Sequence, residues 1–161
     1  MKFLYLFLLT VSISAFAQKP EINKILDDWH KAAAEGNFNA YFGAFTKDAI
    51  YIGTDASENW NMDQFKAFSK PYFDKGKAWD FKPVERHIYF SADGKTAWFD
   101  ELLDTWMKIC RGSGALVKEG NTWKIKHYVL SMTVPNDVVE ETVKVKAKIE
   151  DAYLEKIKSK K

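Results

Sequence analysis

Three side chains in the second half of the chain have the types that acid–base chemistry needs: Glu101, Arg111 and His127. A carboxyl group against an apolar wall has a raised pKa, closer to the pH at which it exchanges a proton efficiently. An Arg and a His beside it could polarise a carbonyl or epoxide oxygen. The same three groups could instead pair with one another as a hydrogen-bonded core cluster, without any substrate. The sequence leaves both interpretations open.

The direction in which each group points depends on strand alternation, because every second residue of a strand shares a face. In the last strand, Lys124 and Lys126 point one way, so the opposite face is the inner one. The residues on this inner face are Trp123, Ile125, His127, Val129 and Ser131. The alternation therefore predicts that His127 and Ser131 lie inside, and Ser131 is a candidate ligand contact.

The strand that begins at Thr96 has two candidate inner faces. One carries Ala97, Phe99, Glu101, Leu103, Thr105 and Met107, and the other carries Trp98, Asp100, Leu102, Asp104 and Trp106. The first is the more apolar, so we favour Glu101 as the buried base. The second would place Asp100 and Asp104 there instead. A single β-bulge would exchange the two faces.

Other kinds of chemistry have little support in the sequence. His30, His87 and His127 are far apart and form no metal-binding HxH or HExxH pattern. There is no nucleophile elbow and no phosphate-binding loop. The net charge of +2 argues against electrostatic capture of nucleic acid. We therefore expect no metal, no cofactor and no nucleic-acid partner.

Aromatic residues are abundant, with 6 Trp, 7 Tyr and 12 Phe. Their spacing suits a packed core, but pockets that stand between helices and a sheet are lined by the same residue types. If they line a pocket, we expect a small apolar or cyclic ligand. The candidate wall residues are Trp29, Tyr41, Phe45, Tyr51, Phe68 and Tyr72.

Residues 1–17 have the pattern of a secretory signal peptide. Lys2 precedes an apolar run over residues 3–11, and Ala15-Phe16-Ala17 is a small-x-small cleavage signal. The apolar run is about half of the roughly 20 residues that a membrane span needs. We expect cleavage between Ala17 and Gln18, no membrane attachment afterwards, and a periplasmic or secreted mature protein.

The elements that must position these side chains form one domain over residues 18–135. Two helices, a short strand and a third helix precede four long strands, which are joined by turns at Asp93-Gly94 and Glu119-Gly120-Asn121. Asn61 and Gln64 predict a capping box for the third helix, and Pro71 predicts a break near Ser69. Residues 136–161 form a charged C-terminal helix, which either docks on the domain or a partner or projects into solvent.

This pattern indicates the α+β class, with three helices packed on the concave face of a curved antiparallel sheet. Its order and three local phrases resemble the SnoaL-like branch of the nuclear transport factor 2-like superfamily. The phrases are FTKDAIYIGT at 45–54, RGSGALVK at 111–118 and WKIKHYVLS at 123–131. The resemblance covers about residues 22–135. It implies a cone-shaped fold with a deep pocket, often in a homodimer made through the sheets.

The resemblance does not select a function, because the superfamily includes cyclases, isomerases, epoxide hydrolases, dehydratases and non-enzymatic binding domains. Many members of this branch have a His two residues before the closing-strand Ser, where this chain has Val129. We therefore expect an exported small-molecule-binding domain of unassigned ligand. The alternative is a cofactor-independent isomerase, lyase or hydrolase acting on a small cyclic or carbonyl substrate.

Overall fold

The computed structural model describes the backbone of residues 2–160 and the side chains of residues 18–160. The signal-peptide prediction falls on residues 1–17, outside the described side chains, and stays a prediction. The helices are α1 (Lys2–Ala34), α2 (Phe38–Gly43), α3 (Met62–Phe73) and α4 (Val139–Lys158). The strands are β1 (Phe45–Ile52), β2 (Asn59–Asn61), β3 (Lys82–Phe90), β4 (Thr96–Thr105), β5 (Lys108–Glu119) and β6 (Thr122–Met132).

The six strands form one curved, unclosed sheet in the order β2-β1-β6-β5-β4-β3. The last four strands are the predicted antiparallel meander, and the α+β class is confirmed. β1 differs from the prediction because it runs parallel to β6, while β2 pairs with it antiparallel. The sheet is therefore mixed: β1 enters the sheet before the meander, and the last strand of the meander returns beside it.

The hydrophobic core lies between the concave face of the sheet and the helices. The apolar residues that recur along α1 at helical spacing are buried, including Ile22, Leu26, Trp29 and Ala33. They meet the inward side chains of the strands, such as Phe99 and Leu103 of β4. Burial of each large apolar side chain contributes about 1.5–3 kcal/mol, which fixes α1 across the sheet.

Helix α3 begins at the predicted cap and continues past the predicted break. The Asn61 side chain accepts a hydrogen bond from the Gln64 amide, and the Gln64 side chain accepts one from the Asn61 amide. Pro71 lies inside the helix, which continues to Phe73. The proline removes one backbone hydrogen bond. The buried ring of Phe73 in the next turn packs on the core and offsets that loss.

Helix α4 lies largely on its own, with no residue buried. A hydrogen bond from Tyr153 Oη to the Ala56 carbonyl (3.3 Å) connects it to the loop between β1 and β2. The helix thus touches the domain through this one described side-chain hydrogen bond, and the choice between docking and projection stays a prediction. Among the described residues, no helix is both long enough and apolar enough to cross a membrane.

Candidate functional site

Glu101 points into the interior, as the more apolar face of β4 predicts. It is 1% exposed and alternates with the buried side chains of Phe99 and Leu103. Asp100 lies on the outer face, where it contacts His87 at 3.1 Å. No bulge interrupts the pairing of β4 with β5, so the simple alternation holds along this strand.

A β-bulge in β6 changes the alternation of side chains there. Ala115 of β5 pairs with His127, and the next residue, Leu116, pairs with Ile125, so Lys126 is an extra residue. Two consecutive residues of β6 therefore lie opposite one residue of β5. Beyond the bulge, the residues of β6 that the simple alternation places on the inner face lie on the outer face instead. The buried side chains of this strand are Trp123, Ile125, Tyr128 and Leu130.

The bulge makes the prediction of an inward His127 wrong. His127 is half-buried on the outer face, and Ser131, which was a candidate ligand contact, is exposed on the same face. Arg111 pairs with Ser131 across the strands and is exposed as well. The structure therefore does not bring together the three predicted acid–base residues. Only Glu101 lies inside.

The partners of Glu101 come from other elements. Its Oε1 accepts hydrogen bonds from His30 Nε2 (2.8 Å) and Tyr128 Oη (3.2 Å). Its Oε2 accepts one from Arg86 Nε (2.9 Å), and Arg86 Nη2 lies 2.8 Å from the same oxygen. Arg86 also contacts Asp27 of α1 at 2.7 Å. We call Glu101, His30, Arg86 and Tyr128 the carboxylate cluster.

The sequence contains a signal for two of these partners. His30 lies four residues after Leu26 and eight after Ile22, on the buried stripe of α1. Arg86 lies two residues before the buried Ile88, and it is directly opposite Glu101 in the β3–β4 register. A polar residue on an apolar stripe needs a buried partner, and Glu101 is that partner for both.

The cluster keeps Glu101 ionised. Burial raises the pKa of this carboxyl group, but the hydrogen bond and charge of His30, together with Arg86, outweigh burial and leave the pKa below its ordinary value. Burial and the nearby Glu101 charge raise the pKa of Tyr128 well above its ordinary value, so its hydroxyl stays protonated. Glu101 is therefore paired inside the protein, but with His30 and Arg86 instead of the predicted Arg111 and His127, and this pairing gives it no raised pKa for proton transfer.

Gly112 makes room for the cluster. It lies opposite Glu101 in the β4–β5 register. A Cβ atom on Gly112 would lie 2.2 Å from Tyr128 Oη and 3.0 Å from Glu101 Cγ. The first glycine of the Arg111–Gly114 phrase is therefore required by close packing of side chains against the backbone.

A separate cavity of about 220 Å³ opens between α3 and the end of the sheet. Tyr51, Phe68 and Tyr72, three of the predicted wall residues, line it. Trp29, Tyr41 and Phe45 do not, because they are buried in the core, where Trp29 stacks on Tyr41 at 5.2 Å. None of the carboxylate cluster lines the cavity. Its other wall residues, which the sequence reasoning missed, are Gly53, Thr54, Glu58, Trp60, Phe65, Ala78, Trp79, Phe81, Trp106, Met107 and Leu130.

The cavity wall is aromatic with one charged group among its described residues, Glu58. Burial, and after it the charge of Glu58, raise the pKa of the Tyr51 hydroxyl. In the described part of the chain, no cluster of His, Cys, Asp or Glu side chains could hold a metal ion.

Comparison with known sequences finds one family. Residues 22–135 match the profile of the SnoaL-like domain. A search of curated proteins finds no significant match.

Solved structures share the fold at low sequence identity. An NTF2-like protein of unknown function from Pseudomonas putida KT2440 is 13% identical with a TM-score of 0.63, over 76% of this chain and 92% of its own. A proposed scytalone dehydratase from Novosphingobium aromaticivorans is 12% identical with a TM-score of 0.62, over 76% and 89%. A proposed ketosteroid isomerase from Parabacteroides distasonis is 17% identical with a TM-score of 0.57, over 71% and 86%. At these identities the likeness extends to the fold alone.

The carboxylate cluster leads to a prediction about stability. Replacement of Glu101 by Gln removes the buried counter-charge of Arg86 and leaves it only the exposed Asp27 carboxylate, and we expect a loss of about 3 kcal/mol in the free energy of unfolding. Urea denaturation at neutral pH measures it. Glu85→Gln is the matched control, because Glu85 is exposed on β3 and contacts only the exposed His87 among described ion pairs. Equal stability of the two variants would contradict the prediction.

The wild type and the Glu101→Gln variant also test whether the pKa of Glu101 is lowered. The folded-state pKa is lowered, so this stabilisation is fully present above the unfolded-state value of about 4.3 and is lost as the pH falls through the folded-state pKa. Unfolding free energies of the wild type should therefore decrease on acidification below about pH 4 more steeply than those of Glu101→Gln. Parallel pH profiles would show that Glu101 has no lowered pKa.

Proposed function

Since this chain belongs to the SnoaL-like domain family, we propose that it is a small-molecule-binding domain whose ligand occupies the aromatic cavity between α3 and the sheet. The observation that carries the proposal is an open cavity, walled by aromatic side chains from both the helices and the sheet. Pockets of this kind bind small molecules mainly through apolar contact, with a few polar groups for orientation.

The size and rim of the cavity support a small apolar or cyclic ligand. Its volume of about 220 Å³ is below the roughly 300–1,000 Å³ of sites for drug-sized ligands, so one or two rings suit it. Phe68, Tyr72 and Trp106 at the cavity are exposed by 41%, 44% and 80%. Exposed aromatic surface that adjoins a concave site marks a place where burial by a ligand is favourable.

Binding has more support than catalysis. An isomerase, lyase or hydrolase would need a proton-transferring group at the cavity. Glu101 lies outside the cavity wall, has a lowered pKa and is hydrogen-bonded on both oxygens. The names of the proposed dehydratase and isomerase among the structural neighbours raise the enzymatic alternative. None of the predicted acid–base residues lines the cavity, and the one carboxylate among the described wall residues, Glu58, is hydrogen-bonded to its own loop.

Filling the cavity tests the proposal. Ala78 lies in the wall, and Ala67 is exposed on α3 outside it. We expect 2-naphthol to bind the wild type and the Ala67→Trp control, observed by saturation-transfer NMR. Ala78→Trp should abolish this binding, because its indole ring occupies the cavity. Circular dichroism checks that both variants fold. Absence of binding to the wild type, or equal binding to both variants, would refute the proposed site.

We also propose that the mature protein is exported, after cleavage between Ala17 and Gln18. Support comes from the charged start, the apolar run and the small residues before the cleavage position. Expression of the full chain in a Gram-negative host, followed by mass spectrometry of the periplasmic fraction, should give a protein that begins at Gln18. An intact N-terminus confined to the cytoplasm would contradict the proposal.

A homodimer through the outer face of the sheet is the third part of the proposal. Tyr89 and Trp98 stack on this face with ring centroids 6.0 Å apart, and Trp98 is 48% exposed. In the sheet register, Trp98 pairs with Ala115 and Ala115 with His127, which extends the row across three strands. A second copy would cover these rings in an isologous contact.

The mass of the assembly measures this association. We expect light scattering to give a dimer for the wild type and a monomer for Trp98→Glu, because the new carboxylate would be desolvated in the interface. Trp106→Glu makes the same change at the cavity, away from the outer face, and should stay dimeric. A monomeric wild type, or a dimeric Trp98→Glu protein, would exclude this interface.

A further inference from the structure

The charge of the cavity wall restricts the chemistry of its ligand. Among the described wall residues, Glu58 carries a negative charge and none is Lys, Arg or His. An anionic ligand would therefore be repelled, and a neutral ligand would leave the carboxylate uncompensated. The remaining wall is largely aromatic.

Glu58 is held in place by its own loop. Its Oε2 accepts a hydrogen bond from the Asp55 amide (3.1 Å), and its backbone carbonyl accepts one from the Gly53 amide (3.0 Å). The side chain packs on Gly53, where a Cβ atom would lie 2.1 Å from Oε2. The carboxylate is therefore positioned before any ligand arrives.

No described Lys, Arg or His side chain forms an ion pair with Glu58. Its residue is partly buried and lies in the same cavity wall as Tyr51. Because no described cation pairs with this carboxylate, a positive charge that enters the cavity is attracted to it. The contrast with Glu101 is direct, since Glu101 has its counter-charges inside the protein.

The rings that share the cavity wall with Glu58 supply the second half of a cation site. Trp60, Phe65 and Phe68 form a stack, with Trp60 4.5 Å from Phe68 and 5.6 Å from Phe65, and Trp79 lies 6.1 Å from Phe65. A cation within about 6 Å of a ring centroid is attracted to its face, most strongly by Trp and when water is excluded. Hard metal ions would need several oxygen ligands, which this wall does not offer among its described residues.

We propose that the ligand is a small organic cation, a substituted ammonium on an apolar or cyclic body, whose positive centre lies beside Glu58 and the neighbouring ring faces. This inference rests on the cavity being the ligand site. The apolar body of the ligand lies in the aromatic cavity, as in the proposed function. The ammonium group adds a positive charge, and Glu58 favours a ligand that carries it.

Two probes of one shape separate charge from apolar fit: (4-hydroxyphenyl)trimethylammonium and 4-tert-butylphenol, which differ by nitrogen for carbon at one atom. By isothermal titration calorimetry, the cation should bind the wild type about tenfold tighter than the neutral phenol. The Glu58→Gln variant keeps a side-chain oxygen that can accept the hydrogen bond from the Asp55 amide. In this variant, the affinity for the cation should fall to that for the phenol, and the affinity for the phenol should not change. Glu58→Asp should retain part of the preference.

Glu119→Gln is the control, because Glu119 is exposed at the end of β5 outside the cavity and should leave both affinities unchanged. If both probes bind the wild type equally well, or if Glu58→Gln keeps the preference, the cation proposal is wrong while the cavity remains a ligand site. If neither probe binds, nor 2-naphthol, both proposals are wrong.

Discussion

The ion pair between Glu101 and Arg86 is the interaction on which the rest of the structure depends. It joins β4 to β3, and its hydrogen bonds to His30 and Tyr128 extend it to α1 and β6. Burial of an ionised carboxylate costs several kcal/mol unless its oxygens are satisfied, so these elements must meet in one arrangement. Apolar packing alone tolerates small sliding of a helix on a sheet, whereas the directional bonds of this cluster do not. The glycine at 112 is part of the same requirement, since any side chain there would displace Tyr128.

The cluster also divides the interior into two regions with different chemistry. Around Glu101 the described charged side chains, Glu101 and Arg86, are paired with each other inside the protein. Towards α3 and the β4–β5 turn, the aromatic side chains leave space, and Glu58 lies in its wall with no Lys, Arg or His among the other described wall residues. Members of one fold family can therefore differ in function without a change of architecture, by where the interior polar groups are paired and where they are left to a ligand.

Much of the fold could be predicted from the sequence because its signals are local. The stripe of α1, the capping box of α3 and the turns of the meander depend on residues a few positions apart. The orientation of Glu101 followed from the more apolar face of a strand without bulges. The orientation of His127 could not be predicted in this way. The bulge at Lys126 depends on the pairing of β6 with its neighbours, which the alternation of residues along one strand does not reveal. His30 lies 71 positions from Glu101, so only the fold brings the two together.

The bulge at Lys126 has a further consequence. β1 is irregular beside it, between Phe45 and Ile50, and Lys126 Nζ lies 2.5 Å from Asp48 Oδ2 in that irregular stretch. The irregular stretches of the two neighbouring strands therefore lie side by side, joined by this ion pair. Without Lys126, Ile125 would be followed by His127 and Tyr128, and Tyr128 would still face inwards. During evolution, a residue can therefore be gained or lost at position 126 while the core side chains of β6 still face inwards. An insertion or deletion at Val129 would instead turn the next core residue, Leu130, to the outside.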